Sequence, residues 1–337
     1  MIRAMYFDPK DGLRHDLQMM DIAFALHNPV GLLWVDIHND TPQESEALLT
    51  KTFNFHPLAA DDALQESHYP KIDDWGEYLY IVLHAVAIDA QDSGRVDTQE
   101  LDIFLGPHYM VTHHDETIAA VEKVWAAVQR DPRHLKDGID HVLYRLTDEV
   151  AASFMPVVES FDETIDQIEA QIFGKPGPRV LEKIFTIKRS VLYLRRIIAP
   201  QREVLNMLAR DEFAVIDARD RIYFRDVYDH LVRMYDITEG VRDLVTGTLD
   251  TYLSVTSNRM NDVMKTLTII TTIFMPISFL SGFFGMNIFL ALSPVDPWTS
   301  ALGKLLTFAL FIIAPIVMIQ WMRSRGWLQK NDNQEEL

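Results

Sequence analysis

Two long apolar runs near the end of the chain form its most pronounced pattern. Residues 266–286 (TLTIITTIFMPISFLSGFFGM) and 305–322 (LLTFALFIIAPIVMIQWM) contain no charged side chain. A helix of about 20 apolar residues crosses the hydrocarbon core of a bilayer, whereas a core helix of a soluble protein rarely runs that long without a charge. The pattern therefore predicts two transmembrane helices, at 266–286 and 303–322, joined by a short outer loop at 287–302.

The chain ahead of these runs divides into two parts. Residues 1–135 predict a mixed α/β domain, because short stretches rich in β-branched and aromatic residues read as strands. These stretches are 2–7, 32–37, 78–88, 97–106 and 109–114. From 136 the spacing becomes helical, and a Gly/Pro cluster at 174–178 divides residues 136–210 into a helical hairpin.

After Asp211-Glu212 the helical pattern continues without a break to the first apolar run. We therefore predict one long helix at 211–284 that continues into the first membrane span. The predicted fold class is an α+β domain followed by a long-helix stalk and two C-terminal transmembrane helices.

One face of this predicted long helix carries an apolar seam. Positions 227, 231, 234, 238, 241, 245, 248, 252 and 255 read Val, Leu, Met, Thr, Val, Val, Thr, Tyr and Val, in alternating steps of four and three. Such heptad-like spacing is typical of helix–helix contact. An isolated stalk would leave the seam without a partner, so we expect other copies of the same chain to cover it.

A second, polar stripe enters the first membrane span. Its ten positions cover 32 residues in nine steps, about 3.6 residues per step, and therefore share one helix face. They are Asp250, Ser254, Ser257, Asn261, Met264, Thr268, Thr271, Met275, Ser278 and Gly282. In a membrane helix such residues face protein or a water-filled path, although small residues also serve close helix packing. A pore-lining face is favoured, because the stripe also contains Asp250, Asn261 and two Met, which close packing does not need. One such helix cannot enclose a pore, so this interpretation requires a ring of subunits.

The composition narrows the classes of function. The chain has 31 Lys+Arg against 49 Asp+Glu, a net charge of −18, and no Cys. The acidic excess argues against nucleic acid as a partner and suits a protein that attracts cations. The lack of Cys excludes disulfides, thiolate-held metals and a thiol nucleophile. Only Asp296 and Lys304 are charged between residues 266 and 322, so a charged body precedes an apolar anchor, which excludes a simple soluble enzyme.

Basic residues flank the predicted spans on one side of the membrane. They are Arg259 and Lys265 before the first span, and Arg323, Arg325 and Lys330 after the second. The loop between the two spans, at 287–302, contains a single charged residue, Asp296. Positive flanks stay in the cytoplasm, so we predict a multi-pass protein of the cell (inner) membrane with both termini, including the basic tail at 323–337, in the cytoplasm.

Two adjacent histidines, His113 and His114, end the predicted strand at 109–114. They could ligate a metal, but no H-E-x-x-H motif and no acid at helical spacing accompanies them. The favoured interpretation is a pair of polar residues that close a strand. Because the sequence also contains no P-loop and no G-x-G-x-x-G motif, we expect neither an enzyme nor a cofactor.

The first predicted span ends in Gly285-Met286-Asn287. Three residues alone are a weak motif, but these terminate the first of two C-terminal spans, after a long helix and before a short loop. In this context the chain resembles the CorA family of divalent-cation transport proteins. The stretches that carry the resemblance are YFRDVYDH (223–230), LDTYLSVTSNRMNDVMKTLTIITTIFMP (249–276) and GFFGMN (282–287), with KRSVLYLRR (188–196) and YPKIDDWGEYLYIVLHAV (69–86) upstream.

The resemblance implies a funnel-shaped homopentamer, in which five long helices line a pore and the second spans form an outer ring. The selectivity motif Gly285, Met286 and Asn287 would lie at the outer mouth. The implied pore-lining residues are Asp250, Asn261, Met264, Leu267, Thr271, Met275 and Ser278. The expected partners are copies of the same chain, divalent metal ions and the lipid bilayer, with no nucleic acid.

The resemblance implies Mg²⁺ as the transported ion, with Co²⁺ and Ni²⁺ as further ions. The loop after the motif reads IFLALSPVDPW (288–298), whereas many magnesium-type members have an acidic, Met-Pro-Glu-containing loop. Zn²⁺, which a subgroup of the same architecture transports, is therefore an alternative. A membrane-anchored sensor or scaffold that conducts nothing is the alternative from another class.

The resemblance also implies a regulatory metal site between neighbouring subunits that holds the pore shut in a replete cell. The matching positions are Asp62, in LAADDALQ, and Asp226, in YFRDVYDH; a shift of one residue in the alignment would move the first role to Asp61. Carboxylates from two subunits repel each other, and a hard cation between them converts repulsion into attraction. The alternative is that both acids are solvated surface residues.

Overall fold

The computed structural model describes residues 1–15, 17–65, 69–88, 95–174, 176–286 and 301–327. These residues belong to two compact units, Met1–Tyr252 and Leu253–Leu337. The strands are β1 (Ile2–Asp8), β2 (Gly12–His15), β3 (Leu32–His38), β4 (Lys71–Asp74), β5 (Leu79–Ile88), β6 (Val96–Leu105) and β7 (Tyr109–His114). The helices are α1 (Met19–Leu26), α2 (Pro42–Ala47), α3 (Pro57–Leu64), α4 (Ala119–Arg130), α5 (Ile139–Ala152), α6 (Phe154–Gly174), α7 (Pro178–Arg210), α8 (Arg221–Gly285) and α9 (Ala301–Ser324).

The described strands of the first unit form one sheet in the order β2-β1-β3-β7-β6-β5-β4. Only β3 and β7 pair in parallel among these strands, and every other neighbouring pair is antiparallel. The five strands predicted from composition are all present, and β6 and β7 are joined at Gly106-Pro107 as a hairpin. The predicted α+β class is therefore confirmed.

Helices cover both faces of this sheet. Val35 and Ile37 of β3 belong to an apolar core that also contains residues of α1 and α3. Side chains alternate between faces along a strand, so Trp34, Asp36 and His38 lie on the other face. There Trp34 packs edge-on against Trp125 of α4, with ring centroids 4.8 Å apart. Asp36, although charged, is fully buried on this second face.

The predicted helical hairpin at 136–210 contains three helices rather than two. Ser153 separates α5 from α6, where the sequence pattern had continued without a break. Pro156 lies in the first turn of α6 and has no N–H to donate to the carbonyl of Ala152, so the α5 helix cannot continue through it. The Ser153 hydroxyl donates instead to the Val150 carbonyl at 2.7 Å.

The predicted start of the long helix, residue 211, is wrong by ten residues. Residues 211–220 are not helical, and α8 begins at Arg221. Tertiary contacts hold this segment: the Asp140 carboxylate accepts a 2.8 Å hydrogen bond from the N–H of Asp217, and His141 lies 3.0 Å from Asp220. Val215 and Ile216 are buried. Because these partners lie on α5, no signal within 211–220 could have indicated the break.

The expected partner of the apolar seam is also wrong. Val227, Leu231, Thr238, Val241, Val245 and Thr248 are already buried within a single chain. Polar contacts at the edge of the seam show what covers it: Thr248 donates to Glu169 of α6 at 3.1 Å, and Arg195 of α7 donates to the Tyr235 hydroxyl at 2.7 Å. The chain's own α6 and α7 therefore supply the contact that we had assigned to other copies.

The second unit contains two helices long and apolar enough to span a bilayer, among the residues that the structure describes. They are the apolar part of α8 and Leu305–Ser324 of α9, whose most apolar 18-residue windows have mean hydropathies of 1.8 and 2.2. These windows are almost wholly unburied within one chain. Such surfaces require lipid or other copies of the chain around them.

Candidate ion pathway and metal-binding residues

The polar stripe predicted from the sequence lies on one exposed face of α8. All ten of its residues, from Asp250 to Gly282, are exposed in the single chain, and so is Leu267 at its edge. A different set is half-buried: Ile269, Thr272, Ile273, Pro276, Ile277, Leu280, Phe283 and Phe284. At about 100° per residue, this set and the stripe positions of the span point about 150° apart. The stripe therefore lies on the side of the span opposite the half-buried residues, and its own chain leaves it uncovered.

Threonines on this face keep their hydroxyl hydrogens inside the helix. Thr268 donates to the carbonyl of Met264 at 2.7 Å, and Thr271 donates to that of Leu267 at 2.9 Å. These bonds satisfy the donors, which an apolar environment requires. Each hydroxyl oxygen keeps its acceptor capacity. The face can therefore offer oxygen acceptors to a hydrated cation without unpaired donors.

The selectivity motif lies at the end of α8. Gly285 is the last helical residue, and Met286 follows it as an exposed residue. Asn287 and the rest of the predicted outer loop up to residue 300 lie outside the described residues. The structure thus places Gly285 and Met286 at the end of the first apolar span, at the opposite end of the helix from Asp250.

The first predicted regulatory acid, Asp62, has a basic partner within its own chain. It lies on α3, and its Oδ2 is 2.5 Å from Nζ of Lys71, which also lies 3.1 Å from Asp73. Burial lowers the pKa of Lys71, but the hydrogen bonds that its ammonium group donates to Asp62 and Asp73 outweigh this effect and raise the pKa overall. Asp61, the alternative, accepts a 2.8 Å hydrogen bond from Gln65.

The second predicted regulatory acid, Asp226, lies in the second turn of α8 and is exposed. Its Oδ2 is 3.9 Å from Nε2 of His230, whose Nδ1 is 3.8 Å from Asp148 of α5. Burial raises the pKa of Asp148 despite the nearby imidazole. Sequence reasoning missed Asp148 and His230, although the four-residue spacing of Asp226 and His230 was a signal for a shared helix face. Within the described part of one chain, Asp62 and Asp226 have separate partners, Lys71 and His230.

The adjacent histidines at the end of β7 do not act together, because neighbouring strand residues face opposite sides of the sheet. Nδ1 of His113 lies 3.6 Å from Asp102 of β6, which also accepts a 2.7 Å hydrogen bond from the Tyr80 hydroxyl. Nε2 of His114 lies 3.2 Å from Asp36 of β3. Both rings are buried. They close the strand as predicted, but in buried polar clusters rather than as a solvated end.

Comparison with known proteins gives concordant matches over most of the chain. Residues 30–323 match the family model described as CorA-like Mg²⁺ transporter protein. YfjQ of Bacillus subtilis is 32% identical over 295 residues, which are 87% of this chain and 89% of that protein. The cobalt/magnesium transport protein CorA of Thermotoga maritima is 30% identical over 296 residues, 88% of this chain and 83% of that one.

A solved structure shows the same fold. The complete structure of the CorA magnesium transporter from Methanocaldococcus jannaschii superposes with a TM-score of 0.81 at 22% identity, over 96% of this chain and 98% of that chain. The sequence match, the two apolar spans and the fold agree with one another. The chain therefore belongs to the CorA family of divalent-cation transporters.

Proposed function

We propose that the protein is a homopentameric channel for divalent cations, with Mg²⁺ as the principal ion and Co²⁺ and Ni²⁺ as further ions. The observation that supports it most directly is the polar face of α8, which enters an apolar span and is left uncovered by its own chain. Two relatives are named cobalt/magnesium transport proteins, which favours these ions.

A ring of subunits follows from the number of spans. One chain supplies two apolar helices, too few to enclose a water-filled path. Copies of α8 with their polar faces turned inward would line such a path, and α9 would face lipid. The implied lining comprises Asp250, Asn261, Met264, Leu267, Thr271, Met275 and Ser278, with Gly285, Met286 and Asn287 at the outer mouth.

The chemistry of this lining suits passage of a hydrated ion. Mg²⁺ gives up its water reluctantly and is usually held through water by oxygen ligands. A ring of Asn287 amide oxygens can accept hydrogen bonds from that water without trapping the ion, and conduction needs release as well as capture. Rings of Met and Leu further along form a hydrophobic constriction that gates by dewetting. A ring of Asp250 carboxylates concentrates cations at the inner end.

The membrane potential would drive the ion inward. A divalent charge gains about 4.6 kcal/mol per 100 mV, so no enzymatic step and no cofactor is required. The basic flanks of the two spans support a topology in the cell (inner) membrane with both termini in the cytoplasm. The domain at 1–135 and the helices of 136–210 then form the cytosolic body, and 323–337 forms a cytosolic tail.

Regulation by cytosolic divalent ions is the further part of the proposal. A metal ion would bridge Asp62 of one subunit and Asp226 of the next and hold the ring closed, as the carboxylate chemistry of Mg²⁺ allows. His230, which lies within 4 Å of both Asp148 and Asp226, and Asp148 add ligand capacity on the α8 side. Loss of the ion would shift the population toward an open state.

Uptake into liposomes tests the transport proposal. The purified protein is reconstituted, and influx of Mg²⁺, Co²⁺, Ni²⁺ and Zn²⁺ is followed under an inside-negative potential, with and without a pH gradient. The channel predicts Mg²⁺ influx that follows the potential and needs no pH gradient. Influx of Zn²⁺ alone, accelerated by a proton gradient, would support the Zn²⁺ alternative, and no influx of any ion would support a scaffold.

Native mass spectrometry in detergent tests the assembly. We expect a ring of five, held by the second unit and by cytosolic contacts other than the seam, which each chain buries itself. A stable monomer or dimer that still transports would contradict a pore shared between subunits.

A further inference from the structure

Three side chains that commonly bind metals converge on the sheet face opposite the α1–α3 core. Asp36 and His38 lie two residues apart on β3 and therefore share a face, and the parallel register places His114 of β7 beside His38. Their ligand atoms all lie within 4.8 Å of one another. Among the residues that the structure describes, this is the one group of three with that geometry.

The hydrogen bonds of His114 leave a lone pair directed at a carboxylate. Its Nδ1 lies 2.5 Å from the carbonyl of Glu116, and its Nε2 lies 3.2 Å from Oδ1 of Asp36. Both partners are acceptors, whereas a neutral imidazole has a single N–H. The shorter contact assigns that proton to Nδ1. Nε2 and the carboxylate then repel each other unless a cation or a second proton lies between them.

The ring of His38 adds a second unused nitrogen. Its Nδ1 is buried, has no hydrogen-bond partner among the described residues, and lies 3.6 Å from Oδ2 of Asp36. A neutral imidazole has one N–H and one lone pair, and a metal ligand must offer a lone pair. The unpartnered Nδ1 of His38 is placed to supply it.

The charges around the group also leave room for a cation. Arg3 donates to Oδ2 of Asp36 at 2.8 Å, and its other nitrogens donate to Glu122 at 2.6 and 3.0 Å. Two carboxylates thus share one guanidinium. Asp36 has no exposed surface, and an uncompensated buried charge is costly. A divalent ion on Asp36 would remove this imbalance.

We propose that Asp36, His38 and His114 bind one divalent ion of the Zn²⁺, Co²⁺ or Ni²⁺ class, with water as the fourth ligand. Zinc bonds of about 2.0–2.2 Å place tetrahedral ligand atoms about 3.4 Å apart. His114 lies 3.2 Å from Oδ1 of Asp36 and His38 lies 3.6 Å from Oδ2, close to this spacing, although the two contacts use different oxygens of the carboxylate. One ligand atom of each of the three residues lies within 4.8 Å of the other two. Imidazole ligands select this class over Mg²⁺, which prefers oxygen.

The surroundings of the group fit a bound metal. The Thr112 hydroxyl donates to Oδ1 of Asp36 at 2.5 Å, and the Glu116 carbonyl accepts from His114. Such outer hydrogen bonds fix the orientation of ligands. The ion would join β3 to β7, the parallel pair at the centre of the sheet. It is independent of the proposed pore, because none of its ligands belongs to α8.

Zinc retention by the full-length protein tests the site. Protein in detergent is stripped with a chelator, incubated with Zn²⁺ in the presence of millimolar Mg²⁺ to fill oxygen-only sites, and desalted. Zinc per chain is then measured by mass spectrometry, and thermal unfolding with and without Zn²⁺ is followed by intrinsic fluorescence. His38→Gln removes one ligand at the edge of the cluster. His27→Gln is the matched control, because His27 is an exposed histidine whose ring hydrogen-bonds the Ala23 carbonyl of its own helix.

We expect wild type and His27→Gln to retain one more Zn²⁺ per chain than His38→Gln, and to show a Zn²⁺-dependent rise in Tm that His38→Gln lacks. The apparent Kd for Zn²⁺ should be at least about tenfold weaker in His38→Gln. Equal retention by wild type and His38→Gln, or none by either, would overturn the site. Should His38→Gln fail to fold, X-ray absorption of wild type with one equivalent of Zn²⁺ is measured instead. Two imidazole ligands on the zinc would support the site, and a zinc without imidazole ligands would refute it.

Discussion

Lys71 and Asp62 form an ion pair within one chain, with Nζ 2.5 Å from Oδ2. Asp62 is the acid that the proposed regulatory metal would share with Asp226 of a neighbouring subunit. The lysine and the metal ion therefore compete for one carboxylate, and the affinity of the regulatory site depends on how strongly Lys71 holds it.

Replacing Lys71 should make the channel more sensitive to cytosolic Mg²⁺. A partly exposed ion pair contributes at most about 1 kcal/mol, so Lys71→Gln should lower the half-inhibiting Mg²⁺ concentration by up to about fivefold in flux measurements. Lys123→Gln, which removes the comparable Lys123–Glu149 pair, is the control and should leave it unchanged. If the half-inhibiting Mg²⁺ concentration is unchanged or higher in Lys71→Gln, Asp62 does not belong to the regulatory site.

Protease protection should report the same site directly. Millimolar Mg²⁺ should slow cleavage of wild type in detergent, because a bridging ion closes the ring, and should not slow cleavage of the Asp62→Ala/Asp226→Ala double variant. The two acids are exposed, so the substitutions should not impair folding. If Mg²⁺ protects both proteins equally, these two acids do not form the regulatory metal site.

Loss of the amide at position 287 should abolish transport without preventing assembly. Asn287 follows the polar face of α8 at its outer end, where it can meet the hydration shell of the ion. Asn258→Ala is the control: Asn258 is also an exposed α8 amide, but it lies off the stripe. We expect a folded oligomer from both variants in size-exclusion chromatography, and flux from Asn258→Ala only. Wild-type flux through Asn287→Ala would exclude the motif as the entry site.

The two faces of α8 can be compared at the same depth with adjacent threonines. Thr271 lies on the exposed stripe, and Thr272 lies on the half-buried face. Thr271→Leu would replace a ring of hydroxyl oxygens with apolar groups and should lower flux about tenfold, equivalent to about 1.4 kcal/mol of barrier. Thr272→Leu should retain most of the flux per assembled oligomer. The reverse order would assign the pore to the other face.

The buried Asp102 should make the stability of the protein depend on pH. Burial raises the pKa of Asp102. The interactions with His113 and the Tyr80 hydroxyl oppose this shift, and the charge of Asp115 adds to it. A carboxyl group with a raised folded-state pKa stabilises the protein below its unfolded-state pKa, about 4, and this contribution is lost as pH rises through the folded-state value. The loss amounts to at most about 1.4 kcal/mol per pH unit.

Asp102→Asn removes this titration, so the Tm of the variant should rise relative to wild type as the pH is raised from 4 to 8. Asp97→Asn, at an exposed position on the same strand, is the control and should show a constant difference. Thermal unfolding by intrinsic fluorescence measures both. A Tm difference between Asp102→Asn and wild type that does not change with pH would show that Asp102 is ionised throughout this range.

Much of the secondary structure can be predicted from the local sequence. A strand or a membrane helix is specified by its own residues, since alternation, β-branching and long uncharged runs decide how a segment is buried. For this reason the five predicted strands are present, and the polar stripe of α8 emerges on one face. The motif that ends the first span, taken with its context and the matching stretches upstream, likewise indicated the family that the comparisons show.

The tertiary structure decided what those elements contact. The apolar seam on α8 indicated that another helix packs against it. Its spacing is the same whether that helix belongs to another chain or to the chain's own α6 and α7. The start of α8 at Arg221 depends on Asp140, 77 residues before Asp217, which it holds. Asp36 and His114 are 78 residues apart and meet only because β3 and β7 pair in parallel. Local pattern fixes which face of an element is polar, whereas long-range pairing of strands and helices determines which polar groups share a site.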